Sequence, residues 1–137
     1  MRKFRTLAGQ IKPITKPTKY IIDWDAGSRS KIQAKVKDFL RYHWEREAVF
    51  EEFPVAGTKM TLDFYNATRN VAVEVQGQQH RKYTAHFHNK NKVNFLNQLR
   101  RDKEKLEFCE LNGIKLVEVY HDDELSEELF ENQGVKL

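Results

Sequence analysis

Apolar residues recur along this chain with two different periods, and the changes of period divide it into elements. The segment DAGSRSKIQAKVKDFLRYHW places Ile32, Val36, Phe39, Leu40 and His43 at helical spacing, behind Ser28 or Ser30 as a cap. AVFEEFPV reads as a strand that stops near Pro54, and AGTK as a turn. MTLDFY then alternates, with Met60, Leu62 and Phe64 on one face and Thr61, Asp63 and Tyr65 on the other. NATRN leads into a third strand, where Val71, Val73 and Val75 oppose Ala72, Glu74 and Gln76. A long helix is predicted from about residue 92 to 111, with Gly113 as its C-terminal stop. IKLVEVY is a last strand and DELSEELFEN a short acidic helix. The order α-β-β-β-α-β-α predicts an α/β protein, a mixed α+β sheet with helices packed on it. Residues 1–22, with Pro13, Pro17 and no helical period, read as an extended basic arm ahead of a single domain over 23–137.

Charge adds a direction to this picture. The net charge is +4, but six basic side chains and no acid lie in residues 1–20. Residues 81–105 hold eight basic and two acidic side chains, and residues 106–137 hold nine acids against two lysines. Two basic segments and an acidic tail point to a phosphate-bearing partner, nucleic acid above all. No apolar run is long enough to span a bilayer, and the N-terminus lacks the apolar stretch of a secretory signal, so no membrane partner is expected. The single cysteine, Cys109, excludes an internal disulfide framework and suits a reducing cytoplasm.

Candidate chemistry sits on the strands. Asp63 and Glu74 lie eleven residues apart on neighbouring strands joined by a short turn, so their carboxylates can meet. Two such charges side by side need a cation between them or a proton on one of them, and hard oxygens on a fixed sheet suit magnesium. The alternative is a pair of ordinary solvent-facing strand residues. Asp102 interrupts the stripe Leu96, Leu99, Leu106, Cys109 of the long helix; it either pairs with Lys105 or points over the sheet toward His80 or a metal. Gly77 allows a tight turn, after which His80 can reach the same place. A histidine there can serve as a base toward water or a donor to phosphate.

Together, TLDFY, VEVQGQQH and RRDKEKLEFCELNGIKLVEVY resemble the PD-(D/E)XK nuclease superfamily, over most of the chain. More closely they are similar to its branch akin to very-short-patch repair endonucleases, with phage and homing enzymes that carry an E-D-x-H-D residue set. The resemblance implies a restriction-endonuclease-like core. It makes Asp63 the central metal-binding aspartate, Glu74 the second acidic position and the Val75 carbonyl a backbone ligand. Gln76 stands in the slot that is lysine in the wider superfamily, His80 is the branch histidine, and Asp102 is its helical acid. Glu51 matches the first-strand glutamate, with Glu52 competing for that role. Gln33 stands where related junction-resolving enzymes often carry a glutamate.

The activity implied by this resemblance is that of a metal-dependent DNA endonuclease of phage or mobile-element type that hydrolyses phosphodiester bonds. Its cofactor would be Mg2+, with Mn2+ substituting. Arg2, Lys3 and Arg5 of the arm, Arg81, Lys82, Lys90 and Lys92 of the basic loop, and Arg100 and Arg101 of the long helix would hold DNA phosphates. His86 and His88 would line the same channel. Cleavage of both strands by one small site implies a homodimer, and nicking a monomer. The alternatives are a junction-resolving or structure-specific nicking nuclease, and a catalytically silent nucleic-acid-binding module.

Overall fold

The computed structural model describes residues 2–77 and 89–137, and for residues 89–91 the backbone alone. The chain opens with β1 (Lys3–Arg5) antiparallel to β2 (Ile11–Pro13), followed by a turn of 3-10 helix at Pro17–Tyr20. Helix α1 (Lys31–Trp44) leads to β3 (Val49–Pro54), β4 (Thr61–Asn66) and β5 (Val71–Gln76). Helix α2 (Asn89–Leu111), β6 (Lys115–Tyr120) and α3 (Glu127–Glu131) complete the chain. From α1 onward this is the expected order α-β-β-β-α-β-α. The four-stranded sheet runs β3-β4-β5-β6, antiparallel except for β6, which lies parallel to β5. Among the described residues no helix is long and apolar enough to cross a membrane.

Each face of the sheet carries its own core. On one face Val36, Leu40 and Trp44 of α1 and Phe130 of α3 pack on Val71, Val73, Val117 and Val119. On the other, Phe4 and Ile14 of the N-terminal segment and Phe108 and Cys109 of α2 pack on Phe50, Phe53, Tyr65 and Ala72. The alternation expected for β5 is therefore realised, with its valines toward α1 and Ala72 toward α2. In β4 the alternation breaks. Leu62 faces the α2 side, whereas Phe64, two residues on, faces α1. Opposite the break, Glu52 of β3 sits at φ 52°, a left-handed conformation that costs a non-glycine residue about 1–3 kcal/mol. Asp63 lies at this change of parity, which a regular alternation of Met60, Leu62 and Phe64 did not foresee.

Both long helices depart from their expected faces. Ser30 caps α1, its Oγ accepting the Gln33 N–H at 3.1 Å. The buried face of α1 is Gln33, Val36, Lys37, Leu40 and Trp44; of the expected face Val36 and Leu40 are buried, Phe39 packs half-buried on Phe130, and Ile32 and His43 lie at the margin. Gln33 and Lys37 can lie inside because β3 supplies a partner, Glu51, which accepts from Gln33 Nε2 at 2.9 Å and from Lys37 Nζ at 2.9 Å. Helix α2 starts earlier than residue 92, and among its described residues those in the buried core are Phe108 and Cys109, in its last turns. Leu96, Leu99 and Leu106 are 43–51% exposed and Cys109 alone of that stripe is buried, so Asp102 does not interrupt a buried face.

The N-terminal segment is not an extended arm. Phe4 is fully buried, with its ring 5.7 Å from Phe53, 6.1 Å from Tyr65 and 5.8 Å from Phe108. Asn112, just after α2, accepts the Arg5 N–H at 2.8 Å through Oδ1 and donates to the Arg5 carbonyl at 3.0 Å through Nδ2. The hairpin thus supplies part of the core on the α2 side. Phe4→Ala is expected to cost about 3–5 kcal/mol, the usual range for emptying a buried aromatic site. Urea unfolding measures it, and an unchanged midpoint would mean that the hairpin does not stabilise the core.

Candidate active site

The β4–β5 ladder pairs Asn66 with Val71, Tyr65 with Ala72 and Phe64 with Val73, and goes no further. Where the next pair would stand, side chains replace the backbone bonds. The Asp63 N–H donates to Glu74 Oε2 at 2.7 Å, and the Val75 N–H donates to Asp63 Oδ2 at 2.7 Å. Each carboxylate thus spends one oxygen bracing the strand that bears the other. The second oxygens take cations: Arg29 Nη2 donates to Asp63 Oδ1 at 3.1 Å and Lys105 Nζ to Glu74 Oε1 at 2.6 Å. Both acids are nearly buried, at 3% and 4% exposure. They form one wall of a cavity of about 300 Å³ that Gln76, Gln98, Asp102 and Lys105 also line.

Burial dominates the electrostatics. It raises the Glu74 carboxyl, helped by the negative charge of Asp63 and opposed by Lys105, to about 8. Asp63 is raised for the same first reason, against the Val75 N–H and the Lys105 charge. Cys109 behind the site is pushed up to about 12 by burial, which leaves a protonated and unreactive thiol. Among the described residues no group of three or more His, Cys, Asp or Glu side chains converges, so the pair of acids stands as a pair.

The other expected site residues are distributed unevenly. Gln76 is buried in the cavity wall. Asp102 is half-buried and faces the same cavity, its Oδ1 accepting from Gln98 Nε2 at 3.1 Å. Lys105, the alternative partner for Asp102, bonds Glu74 instead. Glu51 belongs to the α1 junction, where Ser28 Oγ donates to it at 2.7 Å beside the bonds from Gln33 and Lys37. Glu52 is the glutamate that shares a guanidinium with Asp63: Arg29 lies 3.6 Å from Glu52 and 3.1 Å from Asp63. The amide of Gln33 donates to both glutamates, at 2.9 and 3.0 Å. A glutamate at Gln33 would put a third carboxylate beside Glu51 and Glu52 and remove the amide that bridges them.

His80, Arg81, Lys82, His86 and His88, and the side chain of Lys90, lie outside the described residues. Lys92 is exposed on α2, and Arg100 pairs along the helix with Glu104 at 3.7 Å. Arg2 donates to Asn70 Oδ1 at 3.0 Å and to the Asn112 carbonyl at 2.9 Å, at the β4–β5 turn and so at the opposite end of those strands from Asp63 and Glu74. Arg5 is tied to Asn112 at that same end, and Lys3 lies on β1 with it. Sequence reasoning missed Arg29 and Lys105 as neighbours of the acids, and it left Glu51 and Glu52 competing where Glu52 is the one beside Asp63. A signal existed for Lys105: residues 98, 102 and 105 share one helical face. None existed for Arg29, which lies before the cap, and none separates Glu52 from Glu51, because the side chain of Glu52 is redirected by its own backbone.

Comparison with known proteins gives viral relatives. The chain is 36% identical over 74 residues to Uncharacterized protein 033L of Invertebrate iridescent virus 3, covering 54% of this chain and 38% of that protein. It is 38% identical over 66 residues to Uncharacterized protein 094L of Frog virus 3 (isolate Goorha), covering 48% of this chain and 43% of that protein. With Uncharacterized protein 307L of Invertebrate iridescent virus 6 it shares 42% identity over 60 residues, 44% of this chain and 30% of that protein. The matches therefore span less than half the length of these curated relatives. No family model matches the chain, and no solved structure does.

A carboxyl that binds its proton more tightly folded than unfolded makes stability fall as pH rises between the two pKa values. Glu74 sets that window from about 4.5 to about 8. In EDTA, the wild-type urea midpoint should decline across it, and Glu74→Gln should remove most of the decline. A wild-type midpoint that is flat or rises over that range would contradict the assignment.

Proposed function

We propose that the chain is a metal-dependent DNA endonuclease, a phosphodiester hydrolase built on a restriction-endonuclease-like core of the PD-(D/E)XK kind. The observation that carries this reading is the cross-braced pair, Asp63 and Glu74, at the point where β4 and β5 part. Bracing alone would need one oxygen from each acid. The other two, Asp63 Oδ1 and Glu74 Oε1, are held by the cations Arg29 and Lys105. That arrangement suits a site built for positive charge.

The donor set fits magnesium, which takes one or two carboxylates and keeps several waters, and manganese takes the same ligands. Asp63, Glu74 and the Val75 carbonyl would hold the ion. A divalent cation would offset the burial and repulsion that raise both carboxyls. When bound, it supplies Lewis-acid polarisation of a phosphoryl oxygen and a more acidic water.

The chain's own groups have separate tasks. Lys105 favours the ionised form of Glu74 and brings a positive charge to the cavity wall, where negative charge grows on the phosphate oxygens in the transition state. Arg29, two-thirds exposed, ties Asp63 to Glu52 and can turn one face of its guanidinium toward a phosphate. Asp102, held by Gln98, orients what enters the cavity from the α2 side. His80 keeps the role its resemblance implies, proton transfer to or from the attacking water. The similarity to viral proteins is in keeping with a viral origin for the chain.

A plasmid-nicking assay tests the reading. Supercoiled DNA should be cut with Mg2+ or Mn2+ and left intact in EDTA. Asp63→Asn and Glu74→Gln should each slow cutting about a hundredfold or more, the scale for losing a preorganised electrostatic group, while remaining folded. Equal cutting in EDTA, or full activity in either variant, would overturn it; binding without any cutting would leave a nucleic-acid-binding module.

A further inference from the structure

We propose that a second cavity, between the β3–β4 turn and α2, seats a phosphodiester of the nucleic-acid strand next to the one at Asp63 and Glu74. The position of the reacting phosphate rests on the nuclease reading; the seat itself rests on charge and shape. This cavity, of about 350 Å³, shares Arg29, Gln98 and Lys105 with the carboxylate cavity and adds Lys59, Thr61 and Arg101. The two neighbours differ in sign. The first contains Asp63, Glu74 and Asp102, whereas among the described residues no acid lines the second and four of its side chains are cationic.

The division of labour among those four selects the ligand. Arg29 and Lys105 are engaged by Asp63, Glu52 and Glu74. Lys59 and Arg101 form no ion pair with a described residue, which leaves them for an anion from outside. Arg101 reaches the cavity because it shares a helical face with Gln98 and Lys105, three residues after one and four before the other. Arg100, one residue earlier, is instead spent on Glu104. A cation-seeking cavity and an anion-seeking cavity that share a wall suit a polymer with one phosphate per nucleotide. One phosphate lies over the carboxylates and the next lies between Lys59 and Arg101. The strand therefore runs from the acids toward the β3–β4 turn, and not across the Arg2 end of the sheet.

The test is binding of a short labelled DNA duplex in EDTA, followed by anisotropy over a range of salt. Lys59→Ala/Arg101→Ala is compared with Lys35→Ala/Lys136→Ala, which removes the same charge from exposed positions outside the cavity. The cavity variant should bind about tenfold or more weakly at moderate salt, with a salt slope shallower by about two, and equally so on duplexes of different sequence. The control should keep the wild-type slope. Equal losses in the two variants, no loss in the cavity variant, or no wild-type binding would overturn the proposal. Displacement of the duplex by an equal concentration of inorganic phosphate would also overturn it, by assigning the seat to free phosphate. Unchanged binding by the cavity variant alongside Mg2+-dependent wild-type nicking would sink the seat and leave the nuclease reading standing. The expected binding losses without any nicking would do the reverse.

Discussion

Two nearly buried carboxylates stand where backbone hydrogen bonds should be. Past Phe64 and Val73 the β4–β5 ladder ends, and the N–H groups of Asp63 and Val75 would be left without partners inside the protein. An orphaned buried donor costs about 1–3 kcal/mol, so the carboxylates repair a real loss. The repair creates a second difficulty, because each acid must then sit in a poorly solvated place beside the other. Arg29 and Lys105 meet that difficulty from outside the sheet. The left-handed Glu52, the parity change in β4 and the inward-facing Gln33 cluster around the same point. The pairing of β4 with β5 stops there, and a cavity with chemistry in its wall lies beside the break.

The sheet and its helices were legible because their signals are local and repeated. The valines of β5 alternate, Ser30 caps α1, and Gly113, at φ 66°, ends α2 as its place after Asn112 suggests. What was not legible depended on partners distant in sequence. The arm looked extended because Phe4 is isolated among basic and polar residues, and its pocket is made by Phe53, Tyr65 and Phe108. The leucine stripe of α2 had the period of a buried face, yet the described residues of that helix in the buried core are Phe108 and Cys109, at its C-terminal end.

The site divides in the same way. Spacing across a short turn was enough to bring Asp63 and Glu74 together. Nothing local separates Glu51 from Glu52; the backbone turns at Glu52 and sends the two side chains to different neighbours. The positive charge absent at Gln76 is present at Lys105, on another element, where its bond to Glu74 is a tertiary fact. A motif read along one strand records which residues that strand contributes, and the electrostatic balance of the pocket is completed by helices.

Manganese titration at neutral pH, followed by isothermal calorimetry in two buffers of different ionisation enthalpy, goes most directly to the carboxylate pair. An ion held by Asp63 and Glu74 should bind wild-type protein and displace protons from the raised carboxyls, so the apparent heat should change with the buffer. Asp63→Asn, equally folded, should bind the ion far more weakly. Wild-type protein that takes up no manganese, or an Asp63→Asn variant that takes it up as well as wild type, would mean that these acids brace the strands and hold no metal.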